Sequence, residues 1–211
     1  MIDQTYPTWV SAAAAVRPDG SLDPGLFHPA WWDTLKSLLA APTDPVEGCI
    51  PAGEVFWSWM APPDVSSFEA IYRSSQRVLR GRIVGREFGF DRGTPGQLFE
   101  AEVLEVYKGG QNLATYYFFV PVGSFEAGKI KICKRDSRYS TVPAVGDEVV
   151  LMIPDSVAGD PLLDLRFEQG LIVLRGEKAF LPGFSNAKEA KSVARAEVFA
   201  ALAGMSAGDR Q

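Results

Sequence analysis

The sequence predicts a mainly β protein of the α+β kind: a closed or nearly closed antiparallel β-barrel, preceded by an irregular tryptophan-rich extension and followed by a C-terminal α-helix. Three observations carry this expectation. Six or more short strand-like segments are separated by turns marked with glycine, proline and aspartate. Helical crossovers between those segments are missing, which favours antiparallel over parallel pairing. The last periodic stretch has the cap residues and apolar spacing of a helix. With 211 residues, 46% of them hydrophobic and 22% charged, the chain is long and apolar enough to bury a core. Residues 1–63 read as an extension packed on the barrel, and 64–211 as the barrel domain with its terminal helix.

The extension is interrupted by prolines at 7, 18, 24, 29, 42, 45, 51, 62 and 63. One helix fits between them, at Pro29 to Ala41, where Trp31, Leu35, Leu38 and Leu39 share a stripe. All five tryptophans, at 9, 31, 32, 57 and 59, fall in this region, and so much aromatic surface argues that it packs on the rest of the protein. Asp64 or Ser66 can cap a second helix, Ser66 and Glu69 having capping-box spacing. Strands are then expected at Val78 to Arg86, Gln97 to Tyr107 and Ala114 to Val122, the first two joined through the turn-rich GFDRGTPG. Further strands are expected at Lys129 to Cys133, Glu148 to Ile153, Leu162 to Phe167, Leu171 to Leu174 and Ala179 to Leu181, with a hairpin joining Leu162–Phe167 to Leu171–Leu174. A helix over 186–203, capped by Asn186 and closed by Gly204, ends the chain.

The formal charge of −5 sets the molecular field against phosphate backbones, so nucleic acid is not an expected partner. No apolar run reaches the roughly 18–20 residues that span a bilayer, and a soluble protein is expected. No secretory signal is visible in the numbering. The location is extracytoplasmic if a signal precedes this numbering and cytoplasmic otherwise. Cys49 and Cys133 lack metal-site spacing. They are either two buried thiols or a tether between the N-terminal region and the strands, and the tether would place the protein in an oxidising compartment.

The order VLRGRIVGRE, a glycine-containing loop, FEAEVLEVYKGG, an aromatic strand, a Cys-bearing segment and VGDEVVLMIP resembles the netrin-like OB-fold barrel of tissue inhibitors of metalloproteinases and of many secreted bacterial proteins. The resemblance runs from about Val78 to Pro154. Its most telling residues are Gly81, Tyr107-Lys108-Gly109 and Gly146-Asp147-Glu148. It implies an OB-like barrel serving as a binding or inhibitory scaffold outside the cytoplasm, with no catalysis of its own. The inhibitors in that family place a cysteine at the mature N-terminus. Here position 1 is Met, and metalloproteinase inhibition is not carried over.

His28 is the single histidine, which rules out a multi-histidine metal site and leaves a loop residue near Trp31 or a lone base. Asp160, Asp164 and Glu168 recur at four-residue spacing, but Pro161 opposes a helix that would align them. Lys129, Lys131, Lys134, Arg135 and Arg138 with Tyr139 form the concentrated basic segment. It reads either as a ligand-binding strand face or as the solvent side of an edge strand. Trp31, Trp32, Trp57 and Trp59 are candidates for a stacking platform, against the alternative of core packing. The expectation is a non-catalytic, cofactor-free binding module for a protein or glycan at the bacterial cell envelope. Alternatives are a carboxylate-based hydrolase whose site is assembled by the fold, and an acidic cytoplasmic antagonist that binds a partner protein.

Overall fold

The structure is a computed structural model that describes residues 8–44, 48–51, 67–109, 113–121, 123–134, 141–154, 170–181 and 191–208. The elements begin with β1 (Trp9–Ser11), α1 (Ala12–Ala15), a 3-10 turn (Pro24–Leu26), α2 (Pro29–Leu39) and β2 (Ile50–Pro51). Next come α3 (Phe68–Ser74) and the long strands β3 (Ser75–Asp91) and β4 (Thr94–Lys108). The chain continues through β5 (Thr115–Val120), β6 (Gly123–Ala127), β7 (Ile130–Lys134) and β8 (Glu148–Pro154). It closes with β9 (Leu171–Arg175), β10 (Lys178–Leu181), β11 (Lys191–Ala194) and α4 (Arg195–Gly208).

The protein is mainly β, but the expected barrel is not closed. Hydrogen bonding orders the main sheet β11-β10-β9-β8-β3-β4-β5, with β1 also pairing β3, while β2, β7 and β6 form a separate three-stranded sheet. A barrel needs every strand paired on both sides. Among the described residues, β5 and β11 are not hydrogen-bonded to each other. Short strands and turn punctuation serve an open antiparallel sheet as well as a barrel. What separates the two is the pairing of the first and last strands, which local patterning does not encode.

The described residues fall into two compact units, neither contiguous in sequence. The first draws on Met1–Phe56, Arg86–Leu98 and Phe119–Asp136, the second on Trp57–Gly85, Phe99–Phe118 and Ser137–Gln211. In the first unit, Ala15, Leu22, Phe27, Leu35, Phe90, Phe125 and Ile132 make one apolar cluster, so α2 and the β6–β7 hairpin bury their apolar faces together. Phe27 and Phe125 both meet Phe90 edge-on, at 5.6 and 5.8 Å between ring centres. Here β3 ends at Asp91 and β4 begins at Thr94, so the expected loop is a two-residue turn. Arg92 and Gly93 both have positive φ, 49° and 78°, the geometry of the turn whose twist matches a hairpin. Glycine is required at 93 for a second reason: a β-carbon there would collide with the carbonyl oxygen of Trp31.

In the second unit, α3 and α4 cover one face of the sheet. Ile71 and Tyr72 of α3 and Val198 and Leu202 of α4 meet Val78, Val150, Met152, Ile172, Leu174 and Ala179. The opposite face is equally buried, through Leu79, Ile83, Phe99, Ala101, Val149, Leu151 and Val173. Gly81 lies in β3 where a side chain would be tightly placed: its β-carbon would stand 3.0 Å from the Glu102 carbonyl and 3.1 Å from the Ala101 methyl. The cap of α3 is Ser67, whose hydroxyl accepts from the Ala70 N–H; Asp64 and Ser66, the expected caps, lie outside the described residues. The terminal helix also differs from expectation. Lys191–Ala194 is strand, paired antiparallel with Lys178–Leu181, and α4 starts at Arg195 and runs through Gly204 to Gly208. Residues 191–194 keep helical apolar spacing, but Val193 lies opposite Ala179 in the ladder and pairing wins. The cap expected at Asn186 and the hairpin expected from Leu162–Phe167 lie outside the described residues; β9 pairs instead with β8 and β10.

Candidate functional site

In the first unit, α2 starts because Pro29 pre-sets its first turn and His28 caps it, the imidazole Nδ1 accepting from the Ala30 N–H at 3.3 Å. Trp31 and Trp32 follow on this turn and, being adjacent, point about 100° apart. Trp32 turns inward against Phe27, 5.7 Å between ring centres. The Trp31 ring stays half-buried, 5.3 Å from the exposed His28 ring, while its backbone is pinned by the Gly93 turn. Trp9 is buried and donates through its indole N–H to Glu87 at 3.0 Å. Trp57 and Trp59 lie outside the described residues. The first unit therefore presents three half-buried aromatic rings among the described residues, Trp31 beside His28, Trp32, and Phe88 beneath Arg86.

The basic segment opens on the β6–β7 hairpin. Lys129 sits in the turn, its backbone N–H donating to the Gly20 carbonyl at 3.1 Å, and its side chain is exposed. Lys131 is exposed and directly opposite Glu126. Both project from the solvent side, yet β7 is not an edge strand: it lies between β2 and β6. Lys134 ends β7, in register with Gly123, and Arg135, Arg138 and Tyr139 lie outside the described residues. Cys49 and Cys133 form a disulfide, with Cα atoms 5.7 Å apart, where β2 pairs in parallel with β7. Both cysteines are buried.

A cluster that sequence reading missed occupies the margin of α4 in the second unit. Arg80 and Arg82 alternate on one face of β3, and Glu148 of β8 is the direct partner of Arg82. Arg195, the first residue of α4, donates to Glu148 Oε2 at 2.6 Å. Arg82 approaches Glu148 at 3.8 Å, and Arg80 approaches Glu148 at 3.9 Å and Glu105 at 3.7 Å, distances of ion pairing without hydrogen bonding. The Arg80 and Arg195 guanidiniums both lie against the Phe199 ring, 5.3 and 5.1 Å from its centre. Glu105 in turn accepts from the Tyr107 hydroxyl at 2.8 Å, and burial together with that carboxylate pushes the phenol far above its ordinary value. The available signal was the RxR alternation in VLRGRIV; the partner carboxylate came from a strand nearly seventy residues on and could not be paired with it from spacing.

Asp91 is a second feature not singled out by sequence. It is 7% exposed, its Oδ1 has no hydrogen-bond partner, and burial raises its pKa against the opposing pull of Thr8 and Arg92. Asp160, Asp164 and Glu168 lie outside the described residues. No group of three metal-ligating side chains occurs among the described residues, and no helix there is long and apolar enough to cross a membrane. Compared with known proteins, the chain matches no family model and no curated protein. The netrin-like resemblance therefore rests on its motifs alone.

Proposed function

We propose that this protein is a non-catalytic binding module that recognises a protein or glycan of the bacterial cell envelope through the surface at the start of α2. The observation that carries the reading is the half-buried Trp31 ring, set beside the exposed His28 and held by a proline-started helix turn against Gly93. A tryptophan fixed in this way offers a large contact face with little rotamer entropy to lose, as sugar-stacking and interface anchors require. The buried Cys49–Cys133 disulfide supports placement outside the cytoplasm, since structural disulfides persist in oxidising compartments. With His28 as the single histidine, His-based triads are not available to the chain.

The test is native mass spectrometry of the protein against a panel of defined peptidoglycan fragments, envelope polysaccharides and purified envelope proteins. The expected result is a complex with at least one panel member, which is recovered chemically unchanged after prolonged incubation. Cleavage of any panel member, or complex formation with none of them, contradicts the reading.

A further inference from the structure

We infer that Arg80 and Arg82 form a receptor site for a small oxyanion, a carboxylate or phosphate group of a ligand, on the second unit. The inference does not depend on the Trp31 surface. Three guanidiniums, of Arg80, Arg82 and Arg195, meet two carboxylates, of Glu105 and Glu148, leaving local positive charge in a protein of net charge −5. The Glu148 carboxylate is committed to Arg195, the one arginine at hydrogen-bonding distance among the described residues. Among the described residues, Arg80 and Arg82 make only the longer approaches, and the buried Nε of Arg80 has no acceptor. A guanidinium has five N–H donors in a planar fork that suits two oxygens of one anion, so both side chains hold unused donor capacity.

Geometry sets the shape of the site. Residues two apart on a strand share a face about 6.5–7 Å apart, so the forks of Arg80 and Arg82 can close on one group from adjacent positions. Both remain accessible, with side chains 26% and 51% exposed. Phe199 backs the Arg80 guanidinium and restricts where it can swing. Val84, the next residue on that face and 48% exposed, supplies an apolar lip for the body of the ligand. Glu105, within 3.7 Å of Arg80 and itself 46% exposed, is the internal competitor that an incoming anion displaces.

The experiment is an NMR titration of the arginine Nε–Hε resonances of the whole protein with inorganic phosphate and, separately, with acetate, against sodium chloride at matched ionic strength. The expected result is saturable movement of the Arg80 and Arg82 signals with phosphate, acetate or both. Saturation with one alone identifies which oxyanion the site takes. Arg82→Gln weakens this binding by roughly tenfold or more, as expected for loss of a charge-assisted pair. Glu105→Gln tightens it several-fold, a response that a purely structural ion network would not give. Movements that are linear and equal in chloride overturn the proposal, as does a Glu105→Gln variant with unchanged or weaker binding. Because the wild-type titration stands alone, poor folding of either variant does not shield the proposal.

Discussion

Asp91 shows how one buried side chain sets a pH dependence. Its carboxyl lies at the end of β3 with an unpartnered Oδ1, and burial raises its pKa above the ordinary 3.8. The folded protein therefore keeps this proton to higher pH than the unfolded chain does. Its contribution to stability is fully present below pH 3.8 and is lost as pH rises through the folded value. Asp91→Asn, which cannot titrate, is expected to flatten the fall in denaturation midpoint above pH 3.8; equal slopes in both proteins would contradict the assignment. Residues like Asp91 are hard to find in a sequence because Asp-Arg-Gly reads as turn chemistry, and only burial makes the acid unusual. The same holds for Arg80 and Arg82, whose alternation is legible while Glu148 is not. Trp31 and Trp32 were legible as a pair, but that Trp32 meets Phe27 while the Trp31 backbone lies beside Gly93 depends on where those distant residues come to lie.

At the scale of elements, the identities of α2, α3 and the long strands β3 and β4 followed from periodicity, whereas their ends did not, and β1, α1, β2, β6 and β11 were not read from the sequence. Strand patterning placed β3 and β4, but GFDRGTPG looked like a loop because glycine and proline are ordinary breakers. The positive φ of Arg92 and Gly93 compresses that loop to two residues. Gly93→Ala is expected to cost about 1–3 kcal/mol, combining the left-handed backbone with the collision against Trp31, and chemical denaturation would measure it. A loss below about 0.5 kcal/mol, the range of ordinary surface changes, would contradict the pinning of α2 by this turn. For α4, magnitudes decide what holds the helix in place. Truncating a fully buried leucine costs about 2–5 kcal/mol, whereas a partly exposed ion pair contributes about 0–1 kcal/mol. Leu202 is fully buried, and Arg195 is 24% exposed. Leu202→Ala should therefore destabilise the protein well beyond Arg195→Ala in the same denaturation assay; the reverse order would mean that the arginine cluster anchors α4. The strand at Lys191–Ala194 escaped sequence reading because its helix-like spacing competes with a ladder partner that is distant in pattern, though near in sequence.

At the scale of the whole molecule, the mainly β character and the antiparallel sheet were legible, and barrel closure was the error. Closure depends on whether the first and last strands of the order meet, a non-local property. The disulfide is also non-local, bridging a sequence separation of 84 residues. Closing a loop of that length restricts the unfolded chain by about 4–5 kcal/mol in the loop-entropy description. A Cys49→Ala, Cys133→Ala variant is expected to lose about 2–5 kcal/mol, the usual range for removing a native disulfide, and reductant should lower the midpoint of the wild type but not of the variant. Equal sensitivity of both proteins to reductant would contradict a structural role for the bridge. The bridge fits an oxidising compartment, and the proposal for the molecule as a whole is that the start of α2 is a recognition surface. Its most direct test is equilibrium binding of wild type and Trp31→Ala to the same purified envelope component, with unchanged near-ultraviolet dichroism from the remaining aromatic core as proof of fold. Removing the half-buried indole is expected to weaken binding at least about tenfold, the loss typical of an aromatic anchor; identical affinities of the two proteins would contradict a recognition role for Trp31.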